Sequence, residues 1–165
     1  MKIAIGSDHG AFALKNKFVA HLEAQGHEVK DFGTYSLDSC DYPDFGAAAA
    51  KAVASGECEK GIVLCTTGIG ISISANKVKG VRCALLSDIM SARLTRLHND
   101  TNMMAVGAAV VGEMLLWKFW IPGWAPSSPA MQDTREESTR SWRWKNNGKK
   151  SLRDFPPDFC SLLRA

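Results

Sequence analysis

Short apolar runs alternate with segments of helical period from the start of the chain. Residues 2–7 (KIAIGS) read as a strand. Phe12, Leu14, Phe18, Val19 and Leu22 then recur at helical spacing and predict a helix over 11–25, stopped by Gly26. Residues 27–32 predict a second strand and 33–41 a polar loop. Pro43 suits the first turn of a helix that continues through the alanine-rich positions 47–54 to Gly56. The plainest strand is 61–65 (GIVLC), apolar throughout, as a strand covered on both faces must be. Beyond it the pattern predicts a helix over 69–77, a strand over 81–86, a helix over 88–97 and a strand over 102–106 ending at Gly107. Residues 113–121 form one more apolar helix, closed by Pro122.

Strands alternating with helices build βα units around a parallel sheet, and right-handed crossovers leave few topologies open. The expected fold is therefore α/β: a Rossmann-like doubly wound five-stranded parallel sheet, with helices on both faces in three α/β/α layers. After Gly112 the texture changes, since all five tryptophans and five of the six prolines fall in the last 53 residues. That division predicts a domain over 1–121 and an atypical, poorly ordered tail over 122–165, where no period of 3.6 or 2 is sustained.

Composition narrows the function classes. No apolar run in the 165 residues approaches the roughly 20 that a membrane span requires. The opening MKIAIGSDHG turns polar too early for a secretory signal. Five cysteines (Cys40, Cys58, Cys65, Cys83, Cys160) show no CxxC pair, and their odd number suits reduced thiols in a cytoplasmic protein. The net charge of +3 comes from the tail, because residues 1–112 hold eleven basic and eleven acidic side chains while 113–165 hold nine and six. Those tail cations are mixed with acids and form no groove-reading motif, which argues against a nucleic-acid partner. The GxGxxG fingerprint is absent after the first strand, and there is no HxxxH, carboxylate cluster or Walker loop; neither metal nor cofactor is expected.

Ligands of open parallel sheets bind beyond the carboxyl ends of the strands. Ser7-Asp8-His9-Gly10 follows the first strand and Cys65-Thr66-Thr67-Gly68-Ile69-Gly70 the third, while His98-Asn99-Asp100 precedes the fifth. A thiol at a strand end, beside a glycine turn that opens a helix, can take a proton from carbon while helix amides hold the developing oxyanion. Cys65 can equally be a small buried strand residue. Asp8 can be a helix cap with His9 on the surface, or a hydroxyl ligand. His98 can shuttle a proton or merely compensate a helix dipole, and its place before the fifth strand means that folding or a partner subunit must bring it to the rest.

The segments GSDHGAFALK, DYPDFG, GIVLCTTGIGISISANKVKGVR and ARLTRLHNDTNMMAVGAAVVG, in this order, resemble the B-type ribose-5-phosphate isomerases, a family that includes galactose-6-phosphate and allose-6-phosphate isomerases. The likeness runs through about residue 112. It implies aldose-ketose isomerisation of a sugar phosphate, ribose 5-phosphate first, through a cis-enediolate without metal or cofactor. By that likeness Cys65 is the base and Thr67 assists proton transfer to oxygen. The amides around Thr66, Gly68, Ile69 and Gly70 hold the enediolate, and His98 opens the ring as an acid. Asp8, His9, Tyr42 and Asn99 position hydroxyls or phosphate. The resemblance also implies a homodimer or dimer of dimers, with His98 and Asn99 entering the partner's site.

Three departures accompany it. Thr66 stands where relatives commonly have glycine, which would be strained if that position needs a positive φ. Ala109 stands where they usually carry arginine in a GxRVVG pattern, and the terminal GGRHxxRV segment is not recognisable. The second rival reading is thus a weakened sugar-phosphate binder. With suitable codons, residues 115–124 read one base out of phase as ALEILDTWL, which resembles the family's last helix; the expectation is a frameshift beginning near residue 114.

Overall fold

The computed structural model describes residues 1–120. The order is β1 (Lys2–Ser7), a 3-10 turn (His9–Ala11), α1 (Phe12–Ala24), β2 (Glu28–Asp31), α2 (Tyr42–Ala54), β3 (Lys60–Cys65), α3 (Ile69–Asn76), β4 (Cys83–Leu85), α4 (Ile89–Asn99), β5 (Met103–Gly107) and α5 (Glu113–Trp120). Every expected element is present. The strand expected over 81–86 contracts to Cys83–Leu85, and the N–H of Arg82, just before it, goes to Asn102 Oδ1. The expected tail over 122–165 lies outside the described residues.

All five strands are parallel, in the order β2-β1-β3-β5-β4. Alternate residues face opposite layers. Ile3, Ile5, Ile62, Leu64, Met104 and Val106 pack with Phe18 and Leu22 of α1, Ala92 of α4 and Leu116 and Phe119 of α5. Ala4, Val63, Cys65, Met103 and Ala105 pack with Ala49, Ala50 and Val53 of α2 and Ile71 and Ala75 of α3. Each fully buried Ile or Leu contributes about 1.5–3 kcal/mol, so the two layers carry the stability of the fold. The doubly wound three-layer expectation is met.

On α1 the structure corrects one detail. The face with no exposure carries Lys15, Phe18 and Leu22, while Phe12, Leu14 and Val19 are only partly buried. A lysine at helical spacing within an apolar stripe is buried where an alkyl residue is ordinary. Lys15 Nζ is satisfied by Asp31 Oδ2 at 2.5 Å and the Thr34 carbonyl at 2.7 Å. The loop it holds is tied to the end of β1, since Ser7 N–H donates to Gly33 O and Thr34 N–H to Ser7 O.

The crossovers leave β1 and β3 in opposite directions, so the sheet's switch point lies between these neighbours. Because β5 pairs with β3, its carboxyl end joins theirs: Ser7 is in register with Leu64, and Cys65 with Gly107. Three strand ends therefore converge at one edge.

Candidate active site

Cys65 ends β3, and the residue is 4% exposed. Gly68 N–H donates to Cys65 Sγ at 3.0 Å. That bond exists because Gly68 caps α3 in the left-handed region, φ 79°, which turns its amide back over the strand end. A Cβ at Gly68 would lie 2.6 Å from Leu85 Cδ1 and 2.8 Å from the Gly107 nitrogen, so the turn admits no side chain. The bond aims a backbone amide hydrogen of the α3 terminus directly at the sulfur. The next amide, Ile69 N–H, donates to Thr67 Oγ1 at 3.3 Å, leaving the Thr67 hydroxyl hydrogen to serve elsewhere. These two amides of the 66–70 turn act on the thiol and the hydroxyl themselves.

Thr66 does not occupy the strained conformation its place in the turn suggested. Among the described residues the one non-glycine with positive φ is Asp100. Glycine is needed instead at Gly10, where a Cβ would stand 2.3 Å from Thr66 Oγ1, and at Gly107, where it would stand 2.5 Å from the Thr67 carbonyl. The Asp8–Gly10 turn and the Thr66–Gly68 turn are thus in direct contact. Asp8 precedes the 3-10 turn, but its side chain accepts no cap bond; its N–H donates across to Leu64 O at 3.2 Å. Its residue is 6% exposed, and Oδ1 is buried with no hydrogen-bond partner among the described residues. A buried acceptor in that condition fits a hydroxyl donor.

His9 is half-buried beside it. The backbone N–H of Cys40 donates to His9 Nδ1 at 3.2 Å, so the neutral ring carries its hydrogen on Nε2. Cys40 was not a sequence candidate, and a backbone amide leaves no sequence signal. Tyr42 opens α2 with its ring over Gly70; a Cβ there would lie 2.6 Å from Tyr42 Cζ and 2.9 Å from its hydroxyl oxygen. The Asp8–Gly10 turn thus lies against the turn that follows Cys65, and Tyr42 lies against Gly70 in the first turn of α3.

His98 and Asn99 do not join them within one chain. They are exposed in the last turn of α4, which runs against the strands and ends before Met103. Four strand steps separate Met103 from Gly107, placing them about 13 Å or more toward the opposite edge.

Elsewhere, burial pushes the Cys83 thiol up to about 12 and the Cys58 thiol upward, so both remain neutral in the core. Among the described residues no three His, Cys, Asp or Glu side chains are grouped to hold a metal, and no helix is long and apolar enough to cross a membrane.

A family model described as Ribose/Galactose Isomerase matches residues 3–126. Ribose-5-phosphate isomerase B of Escherichia coli is 50% identical over 123 residues, 74% of this chain and 82% of that protein. Galactose-6-phosphate isomerase subunit LacB of Clostridium acetobutylicum is 48% identical over 112 residues, 68% of this chain and 65% of that one. Among solved structures, ribose-5-phosphate isomerase B of Clostridium thermocellum matches with TM-score 0.75 and 42% identity, over 87% of this chain and 99% of that one. The Mycoplasma genitalium enzyme with bound ribulose-5-phosphate matches with TM-score 0.78 and 29% identity, over 88% and 97%.

Proposed function

The chain belongs to the ribose/galactose isomerase family, and from that membership we propose that it interconverts ribose 5-phosphate and ribulose 5-phosphate with Cys65 as the base. The observation that carries the assignment is the Gly68 amide on Cys65 Sγ, at the edge where Asp8, His9 and the Thr66–Gly70 turn meet.

Cys65 as thiolate takes the proton from the carbon beside the open-chain carbonyl and returns it to the neighbouring carbon. The enediolate proton passes between the two oxygens with help from the Thr67 hydroxyl. Asp8 Oδ1 accepts from a sugar hydroxyl and His9 Nε2–H donates to another, while Tyr42 closes the far side beside Gly70. His98, as the ring-opening acid, and Asn99 are supplied by a second copy of the chain, in a homodimer or dimer of dimers; their place at the opposite edge of their own sheet supports this reading. The reduced thiols suit a cytoplasmic enzyme.

The test is ribose 5-phosphate conversion by the parent chain, by Cys65→Ala, and by a version whose ending after residue 114 follows the shifted reading. Loss of a positioned base lowers turnover by about 10²–10⁴-fold. Undiminished turnover by Cys65→Ala removes the mechanism. Likeness to LacB favours a second reading, six-carbon substrates, so galactose 6-phosphate and allose 6-phosphate form parallel arms. Recovery only in the restored version assigns the weakness to the tail.

A further inference from the structure

The end of α4 has an unusual backbone. Asp100 caps the helix in the left-handed region, φ 44°, a conformation uncommon for non-glycine residues though open to aspartate. The bonds that hold it come chiefly from another element. The Arg82 guanidinium reaches from the start of β4 and donates through Nε to Asn99 O at 3.1 Å and Asp100 O at 3.0 Å. Through Nη2 it donates to Asp100 O at 2.6 Å and Asp100 Oδ2 at 2.8 Å. From within the turn, Arg96, 3% exposed, holds Asp100 Oδ1 at 3.4 Å and also the Thr101 carbonyl.

Arg82 is itself fixed. Its backbone N–H goes to Asn102 Oδ1 at 2.8 Å, and Asn102 Nδ2 goes to Gly80 O at 2.9 Å. Carbonyls of a helix's last turn have no acceptor role within the helix. A planar guanidinium that takes two of them and an adjoining carboxylate therefore sets where the last two helical residues point, which an ammonium could not do. Those two residues are His98 and Asn99.

We propose that Arg82 is a positioning residue for the isomerisation: it fixes the Asp100 turn and thereby the direction in which His98 and Asn99 leave their own chain for the partner's site. This rests on the shared-site reading above. Arg82 acts through Asn99 and Asp100 and belongs to the chain that donates His98, so its loss damages the neighbour's chemistry and spares its own Cys65.

Mixed dimers test this direction. Arg82→Gln homodimers are expected to lose on the order of 10- to 100-fold in kcat/KM for ribose 5-phosphate, the scale of a misplaced catalytic group. Arg82→Lys keeps the charge without the fork and falls with it. Cys65→Ala chains are then combined with Arg82→Gln chains, using two affinity tags. One site of each mixed dimer regains an intact Cys65 and an intact donated His98, so about half the parent activity returns. Cys65→Ala combined with His98→Gln is the control. Recovery in both mixtures supports the proposal. Recovery with His98→Gln but not with Arg82→Gln overturns the role of Arg82 and leaves the shared site standing. No recovery with His98→Gln overturns the shared site itself, and the role of Arg82 with it. The His98 ring signals in NMR give a readout without turnover: they shift or broaden in Arg82→Gln and Arg82→Lys, less so in Asp100→Asn, which retains the backbone bonds. Unchanged signals in Arg82→Gln overturn the proposal.

Discussion

Replacing Lys15 by methionine keeps the stem of the side chain and removes its ammonium from a fully buried place. Nζ lies 2.5 Å from Asp31 Oδ2 and 2.7 Å from the Thr34 carbonyl, and 5.6 Å and 5.1 Å from the ring centres of Phe12 and Tyr35. Two hydrogen bonds from a charged donor are worth about 1.5–3 kcal/mol each, and the rings add about 0.5–1 kcal/mol apiece. Against these stands the desolvation of the ammonium, several kcal/mol, which the variant no longer suffers. Breaking a buried pair costs about 3–5 kcal/mol in measured cases, and the Asp31 side chain is 27% exposed, so water recovers part of its loss. The expected destabilisation is thus about 2–3 kcal/mol. In a domain of this size that lowers Tm by about 5–10 °C. Urea unfolding gives the same quantity as a lower midpoint at constant slope. Lys15→Met combined with Asp31→Asn costs less than the two single losses added, by about 1 kcal/mol or more, because the partners are in contact. A single-variant loss below about 1 kcal/mol, or strict additivity, refutes the clamp.

Gly10→Ala places a methyl 2.3 Å from Thr66 Oγ1 and lowers both stability and turnover; Thr66→Gly in the same chain restores them, and a purely additive double variant in thermal unfolding and turnover contradicts the contact. Ala109→Arg, supplying the charge that the family resemblance implies there, is expected to lower KM for ribose 5-phosphate by about tenfold or more, the worth of a charge-assisted phosphate contact; an unchanged KM places the phosphate elsewhere. Burial, with the Met1 amino group next, holds the His27 ring below the usual 6.5, and Glu59 opposes this. The unfolded chain binds that proton more readily than the folded one. His27's contribution is therefore complete above about pH 6.5 and lost as pH falls below it. His27→Gln should flatten that limb of the stability curve, measured as Tm against pH; an unaltered limb removes the assignment.

The elements were legible because a parallel sheet buries its central strands on both faces, leaving GIVLC and IAIG as unbroken apolar runs. Around Cys65 the structure sharpens the reading of the turn. Gly68, two positions beyond Thr66, takes the left-handed conformation, and Gly10 makes the space that the Thr66 hydroxyl fills. Less could be read where a residue's partner is distant. Lys15 gave no hint of burial, since its anion lies 16 positions away. The Asp8 carboxylate stands at a cap position yet accepts no cap bond, and its amide pairs with Leu64 of the neighbouring strand. The Cys40 amide that orients His9 is invisible to any argument from side-chain type.

The last strand to be made, β5, occupies the place beside β3, while β4, made before it, touches the sheet through β5 alone. During synthesis the emerging polypeptide can assemble only β2, β1 and β3, and β4 must wait unpaired at the margin. Closing the sheet is a late, long-range event, so nascent chains stalled before Met103 expose a bare flank of β3 to other strands and to chaperones.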